Sequence, residues 1–171
     1  MPSLENKVSF ITGAGSGIGL ATALKMGAEG STVICSDINE QSAQAAATRI
    51  EDAGGKASVN ALDTSDEAAV KEALSKTVKD FGRLDVLYNN AGVARQGWGL
   101  TNDVNLAGVY YGLMHACPIM AEQGGGSIVN TASAAGLVAI YAPGADFMKN
   151  PAVLEGTASY VATKHGVVGL T

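Results

Sequence analysis

Tyr160 and Lys164 stand four residues apart towards the C-terminal end of this chain. That spacing puts both side chains on one face of a helix. A phenol is a poor base at neutral pH, with an ordinary pKa of about 10. An ammonium one turn away favours its anion, so the pair suits proton transfer to and from an oxygen. Ser133 follows the apolar run Ser127–Thr131, and its hydroxyl can hydrogen-bond a substrate oxygen. Asn105 lies in a long helical segment and can hold a water that relays protons. Each residue also has a plainer use. Tyr160 and Lys164 can be a surface pair, Ser133 can pack among Ala132, Ala134 and Ala135, and Asn105 can cap a helix. Their occurrence together and in order with the motifs below favours chemistry over these uses.

The second constellation is a glycine turn. Thr12-Gly13-Ala14-Gly15-Ser16-Gly17-Ile18-Gly19 follows the strand-like run Lys7 to Thr12. Glycines between a strand and a helix let backbone N–H groups approach a pyrophosphate, and the helix adds its positive end. The spacing is Gly-x-x-x-Gly-x-Gly over Gly13, Gly17 and Gly19, with Leu20 where the commoner fingerprint needs Gly or Ala. Ser16 and Ile18 lie within the same turn. Asp37 ends the next apolar run, and an acid there accepts hydrogen bonds from ribose hydroxyls and repels a 2′-phosphate. Ile38, Asn39 and Glu40 follow it without a nearby base, so NAD is favoured over NADP. A bound nicotinamide cation would add to the charge favouring a Tyr160 phenolate. Asp63 can touch the adenine edge or simply lead into a helix. Asn89-Asn90-Ala91-Gly92 offers small residues beside a cofactor and amides that can tie strand ends together.

The elements that must position these residues alternate. Strands are predicted at Val8–Thr12, Thr32–Asp37, 57–62, Leu84–Asn89 and Ser127–Thr131. Helices are predicted near 18–29, 41–53, 66–81 and 102–123, with a last one beginning near Ser159 and still running at Thr171. Alternation of this kind predicts an α/β fold, a doubly wound parallel sheet in three layers. Ser133 then lies at the carboxyl edge of the sheet, where ligands bind in such folds.

Composition sets the outer limits. The chain has 171 residues, 47% of them hydrophobic and 16% charged, with a formal net charge of -5. That suits one globular domain over 1–171 with its own core. No basic run points to nucleic acid. Met1–Lys7 lacks the basic-then-apolar pattern of a secretory leader, and no apolar stretch reaches membrane-spanning length. Cys35 and Cys117 lack metal spacing and are expected as buried thiols in a reducing, cytoplasmic setting. His115 and His165 are isolated and are read neither as metal ligands nor as bases. No metal site is expected. The apolar residues of 102–123 are not confined to one stripe, so this helix is expected to be covered on more than one side, by the sheet and by a second subunit or another segment of the chain.

These motifs together resemble the short-chain dehydrogenase/reductase family. The resemblance runs from Leu4 to Thr171. It rests on the turn Thr12–Gly19, on Asn89–Gly92, on Val104-Asn105-Leu106-Ala107-Gly108-Val109, on Ser127–Ser133 and on Tyr160-Val161-Ala162-Thr163-Lys164. It implies a Rossmann-type fold and hydride transfer between a nicotinamide cofactor and a small alcohol or carbonyl substrate. It further implies Tyr160 as acid/base, with Lys164 lowering its pKa and holding the nicotinamide ribose. Ser133 would orient the substrate oxygen and Asn105 would support a relay water. Ile18, Asp37, Asp63 and Asn90 would contact the cofactor, beside Gly13, Ser16, Gly17, Gly19, Ala91 and Gly92. The family commonly pairs its long helix with a copy in a second subunit, which implies a homo-oligomer here.

Three features depart from the family pattern. Ser133 and Tyr160 are farther apart than in relatives, and the surplus, 138–157, reads as a Pro- and Gly-containing loop that can act as a lid. The link from Gly92 to Asn105 is short, which can displace Asn105. The chain stops where relatives continue through two more strands, which implies an incomplete member with strand five as an exposed edge. The competing expectation is a non-catalytic chain that binds nucleotide or pairs with a complete subunit.

Overall fold

The computed structural model describes residues 3–94, 96–139 and 150–171. Five parallel strands, β1 (Val8–Thr12), β2 (Thr32–Asp37), β3 (Lys56–Ala61), β4 (Val86–Asn89) and β5 (Ser127–Asn130), form one sheet in the order β3-β2-β1-β4-β5. The order reverses between β1 and β4, so their carboxyl ends diverge and leave the crevice that such sheets use for ligands. β1 is buried at all five positions. Its neighbours alternate between two cores. Phe10 joins Leu74, Leu87, Ala116 and Met120 on one face, while Ile11 joins Ala23, Cys35, Ala47 and Ile50 on the other. Two cores on one sheet require helices on both sides, the three-layer arrangement expected from the alternation.

The helices are α1 (Gly17–Ala28), α2 (Glu40–Asp52), α3 (Glu67–Phe81), α4 (Trp98–Asn102), α5 (Gly108–Glu122) and α6 (Pro151–Leu170). Asn39 and Asp66 cap α2 and α3 by accepting from Ser42 N at 3.0 Å and Ala69 N at 3.1 Å. Such caps satisfy backbone donors left over at a helix start.

Three expectations change. The helix expected over 102–123 starts at Trp98 and runs through a π-helical turn, Asp103–Ala107, before α5. α6 starts at Pro151, not near Ser159, because a proline fits the first turn of a helix and Asn150 accepts from Val153 N there at 3.4 Å. The C-terminal part of the expected 138–157 loop is therefore helical, and the stretch 140–149 lies outside the described residues. Cys35 is buried, which pushes its thiol up to about 11, with Glu51 adding to the effect. Cys117 is exposed, contrary to expectation, because it faces away from the sheet on α5. β5 is an edge strand of this sheet, with Val129 46% exposed.

At the amino end of the sheet Asp85 is a buried carboxylate. It accepts from Val8 N at 2.9 Å, from Arg83 Nε at 2.6 Å and from Lys7 Nζ at 3.2 Å. Burial alone would raise its pKa, but these three partners together outweigh burial and hold it below the usual carboxylate range. A carboxyl depressed in the folded state stabilises above its unfolded pKa, about 3.9, and loses that contribution as pH falls through the folded value. Asp85→Asn is expected to cost about 2 kcal/mol at pH 7 in urea unfolding. The gap to the parent should close below about pH 4. Equal stabilities at pH 7 would contradict this role.

Candidate active site

The site is built at the carboxyl ends of β1, β4 and β5. Thr12 Oγ1 accepts from Asn90 N at 2.9 Å and Ala91 N at 3.0 Å, and donates to Tyr88 O at 3.3 Å. The Asn90 amide donates back to Thr12 O at 3.1 Å and Gly13 O at 3.4 Å. Its Oδ1 accepts from Thr131 Oγ1 at 3.2 Å. Asn89 donates to Asn130 Oδ1 at 2.9 Å. The Asn89-Asn90 pair thus ties strand ends together, one of the uses expected for it.

On this junction the glycine turn closes. Gly13 and Gly17 have positive φ values, 67° and 52°, which side chains with a Cβ rarely adopt. Gly19 has the opposite constraint. It is buried at the start of α1, and a methyl group there would overlap the Gly13 carbonyl oxygen. The helix can approach the turn only without a side chain, which points its first N–H groups at the crevice.

A cleft of about 550 Å³ runs from this turn across the strand ends. Gly13, Ser16, Gly17 and Ile18 line one end with Asp37 and Asp63, and Asn90, Ala91 and Gly92 line its middle. Asp37 Oδ2 accepts from Gly15 N at 3.0 Å and Oδ1 from Asn39 N at 3.0 Å. The carboxylate is thereby fixed beside the glycine turn. Asp63 leads into a helix and also borders the cleft. Its Oδ1 accepts from Ser65 N at 2.9 Å and Ser65 Oγ at 2.6 Å ahead of α3.

Tyr160 and Lys164 line the other end of the same cleft. Lys164 is buried, with its Nζ donating to Thr131 O at 2.6 Å and lying 5.7 Å from the centre of the Tyr160 ring. Burial pushes the pKa of Lys164 below the usual lysine value. A buried cation with a depressed pKa beside a half-buried phenol is the kind of arrangement that clusters at reactive sites.

Ser133 and Asn105 are not among the residues lining this cleft. Ser133 is half-buried after β5, and its Oγ accepts from Ala135 N at 3.2 Å at the head of a 3-10 turn, Ala134–Gly136. Asn105 is fully buried in the π-helical turn. Its Oδ1 accepts from Val93 N at 2.7 Å and its Nδ2 donates to Val93 O at 2.8 Å. The short link from Gly92 therefore leaves Asn105 fixed to the segment after β4. Thr12, Thr131 and Val93 were not singled out in the sequence. Thr12 opens the glycine motif, Val93 follows Gly92 and Thr131 precedes Ser133 by two residues, so adjacency to a motif is the available signal.

The donor set fits a dinucleotide. Backbone N–H groups at the head of α1 suit a pyrophosphate, Asp37 suits a ribose diol, and Lys164 suits the second ribose. Among the described residues no cluster of His, Cys, Asp or Glu is placed to hold a metal ion, and no helix is long and apolar enough to cross a membrane.

A family model described as short chain dehydrogenase matches residues 7–145. Cyclohexanol dehydrogenase from Acinetobacter sp. (strain SE19) is 41% identical over 177 residues, covering 98% of this chain and 65% of that protein. The crystal structure of levodione reductase superposes with a TM-score of 0.86 at 34% identity, covering 98% of this chain and 64% of that one. A crystal structure of NAD+-bound xylitol dehydrogenase gives a TM-score of 0.85 at 30% identity, covering 99% of this chain and 64% of that one. The chain thus spans a little under two thirds of these relatives.

Gly19→Ala and Gly17→Ala separate the two glycine constraints. Gly19→Ala must displace the turn or α1, and is expected to destabilise by about 1–3 kcal/mol and to weaken dinucleotide binding at least tenfold. Gly17→Ala meets nothing within 4 Å, so only its backbone conformation opposes it, at about 1 kcal/mol. Thermal unfolding and NADH titration of both variants check this. A milder effect at Gly19 than at Gly17 would contradict the close-approach argument.

Proposed function

The chain belongs to the short-chain dehydrogenase family, and we propose that it oxidises a small secondary alcohol or reduces the corresponding ketone, with NAD(H) as its cofactor. The observation that carries this reading is that Tyr160 and Lys164 line the same cleft as the glycine turn and Asp37. One continuous site can then hold a dinucleotide at one end and move a proton at the other. The likeness to a cyclohexanol dehydrogenase supports an uncharged alcohol as substrate, as do the apolar lining residues Val93, Ala94, Leu100 and Val104.

Bound NAD+ supplies the hydride acceptor, and NADH the donor. Tyr160 takes the hydroxyl proton of the alcohol in oxidation and returns one to the carbonyl oxygen in reduction. Lys164 places positive charge beside the phenol, which favours its anion. It also holds the ribose next to the reacting ring. Ser133 lies two residues beyond Thr131, which lines the cleft, and its bond to the Ala135 amide leaves its hydroxyl proton free to donate to a substrate oxygen that reaches it. Asn105 serves the cleft through Val93, a lining residue whose backbone N–H and C=O its side-chain amide holds. Asp37 favours a free 2′-hydroxyl over a phosphate, which selects NAD. The second reading, a nucleotide-binding chain without turnover, is favoured by the placement of Ser133 and Asn105 outside the cleft lining.

A second copy of the chain is the partner proposed for α5. Its buried side carries Val109, Gly112, Ala116 and Met120, whereas Tyr110, Met114 and Cys117 are exposed at helical spacing. Among the described residues, the cover expected on both sides of α5 is present on one side.

Two experiments test these readings. Oxidation of cyclohexanol should proceed with NAD+, at least tenfold less efficiently with NADP+. Tyr160→Phe should lower kcat by about 10²–10⁴-fold with the NADH dissociation constant within threefold of the parent. Saturable NADH binding without turnover on a panel of secondary alcohols would favour the non-catalytic reading. In sedimentation velocity the parent should be dimeric and Met114→Glu monomeric. A monomeric parent at micromolar concentration would contradict pairing through α5.

A further inference from the structure

The start of α6 meets α4, which contributes Leu100 to the cleft. Glu155 lies on the first turns of α6, and its Oε1 accepts from Trp98 N at 3.1 Å, the first residue of α4. Gly97, which precedes α4, has no side chain to cap it, and a Cβ there would sit 3.4 Å from the same oxygen. The carboxylate of a distant helix thus does the work of a cap. Farther along, Gly166 packs so closely on Leu106 of the π-helical turn that a methyl there would approach Leu106 Cδ1 to 2.7 Å. α6 therefore holds the segment 98–107 at two points. Between them lie Leu100 and Val104, the side chains that this segment contributes to the cleft containing Tyr160 and Lys164. Leu100 is half exposed, so its place depends on how α4 is held more than on burial.

We infer that Glu155 is a positioning residue. It clamps α4 onto α6 and so sets the apolar wall that Leu100 and Val104 present to the substrate. This rests on the dehydrogenase reading for its kinetic consequence, but not for the clamp itself. Neither atom of the contact belongs to the cofactor end of the cleft, so cofactor affinity should be independent of it. The conservative replacement Glu155→Gln keeps an oxygen acceptor, whereas Glu155→Ala removes it.

The test compares both variants with the parent by amide hydrogen exchange and steady-state kinetics with cyclohexanol and NAD+. Glu155→Ala should speed exchange at the Trp98 amide at least tenfold. It should raise the KM for cyclohexanol about tenfold, with kcat within twofold and NADH affinity unchanged. Glu155→Gln should restore both readouts to near the parent. Unchanged Trp98 exchange in Glu155→Ala would overturn the clamp whatever the kinetics. Faster exchange with an unchanged KM would overturn its link to the substrate wall. A parent that turns over no secondary alcohol contradicts the dehydrogenase reading instead, and the exchange comparison then still decides whether Glu155 holds α4.

Discussion

Everything at the carboxyl edge of the sheet depends on one hydrogen-bonded junction, where Thr12 and Asn90 hold β1 and β4 together as the strand order reverses. A parallel sheet opens at such a point, and the backbone groups of its diverging strand ends need partners. The threonine hydroxyl and the asparagine amide supply them without filling the crevice. Because both are short and fixed, Gly13 can turn back beside Ala91, and α1 can start close enough to aim its N–H groups into the opening. Thr131 joins the same network through Asn90 and, through its carbonyl, receives the Lys164 ammonium. The glycine turn and the Tyr160–Lys164 end of the cleft are therefore parts of one bonded frame.

Charge is distributed unevenly along the cleft. Asp37 and Asp63 both line the cleft, and both carboxylates are steadied by backbone amides. Lys164 stands at the far end, buried and bonded to a carbonyl. A cation in that position is costly to bury unless it is partnered. The Thr131 carbonyl gives it one partner, and an incoming ribose would give others. The same burial that lowers its pKa also strengthens its field at Tyr160, since fewer waters screen it.

Much of this was legible in the sequence because period and punctuation carried it. Apolar runs such as Val33-Ile34-Cys35 mark strands buried on both faces, and the glycine turn, Asp37 and the Tyr160–Lys164 pair line one cleft. What escaped depended on tertiary context. Pro151 looks like a loop signal, yet the first turn of a helix has no use for the missing N–H, so α6 begins there. Cys117 looks like a core thiol in an apolar helix, yet only one side of that helix meets the sheet. Asn105 looks like a helix cap or a water holder, yet its amide is matched to the main chain of Val93, a pairing that the eleven residues between them do not announce. Thr12 was visible as a motif letter, but its hydroxyl gains meaning only beside Asn90.

On the proposed function, one cleft holds the dinucleotide between Asp37 and Lys164 with Tyr160 at its reacting end. A crystal structure of this chain with NAD+ tests it most directly. The account predicts the adenosine ribose hydroxyls on the Asp37 carboxylate, the pyrophosphate at the head of α1 above Gly13 and Gly17, and the nicotinamide ribose on Lys164 Nζ beside the Tyr160 hydroxyl. A dinucleotide seated elsewhere, or bound with its nicotinamide away from Tyr160, would contradict it.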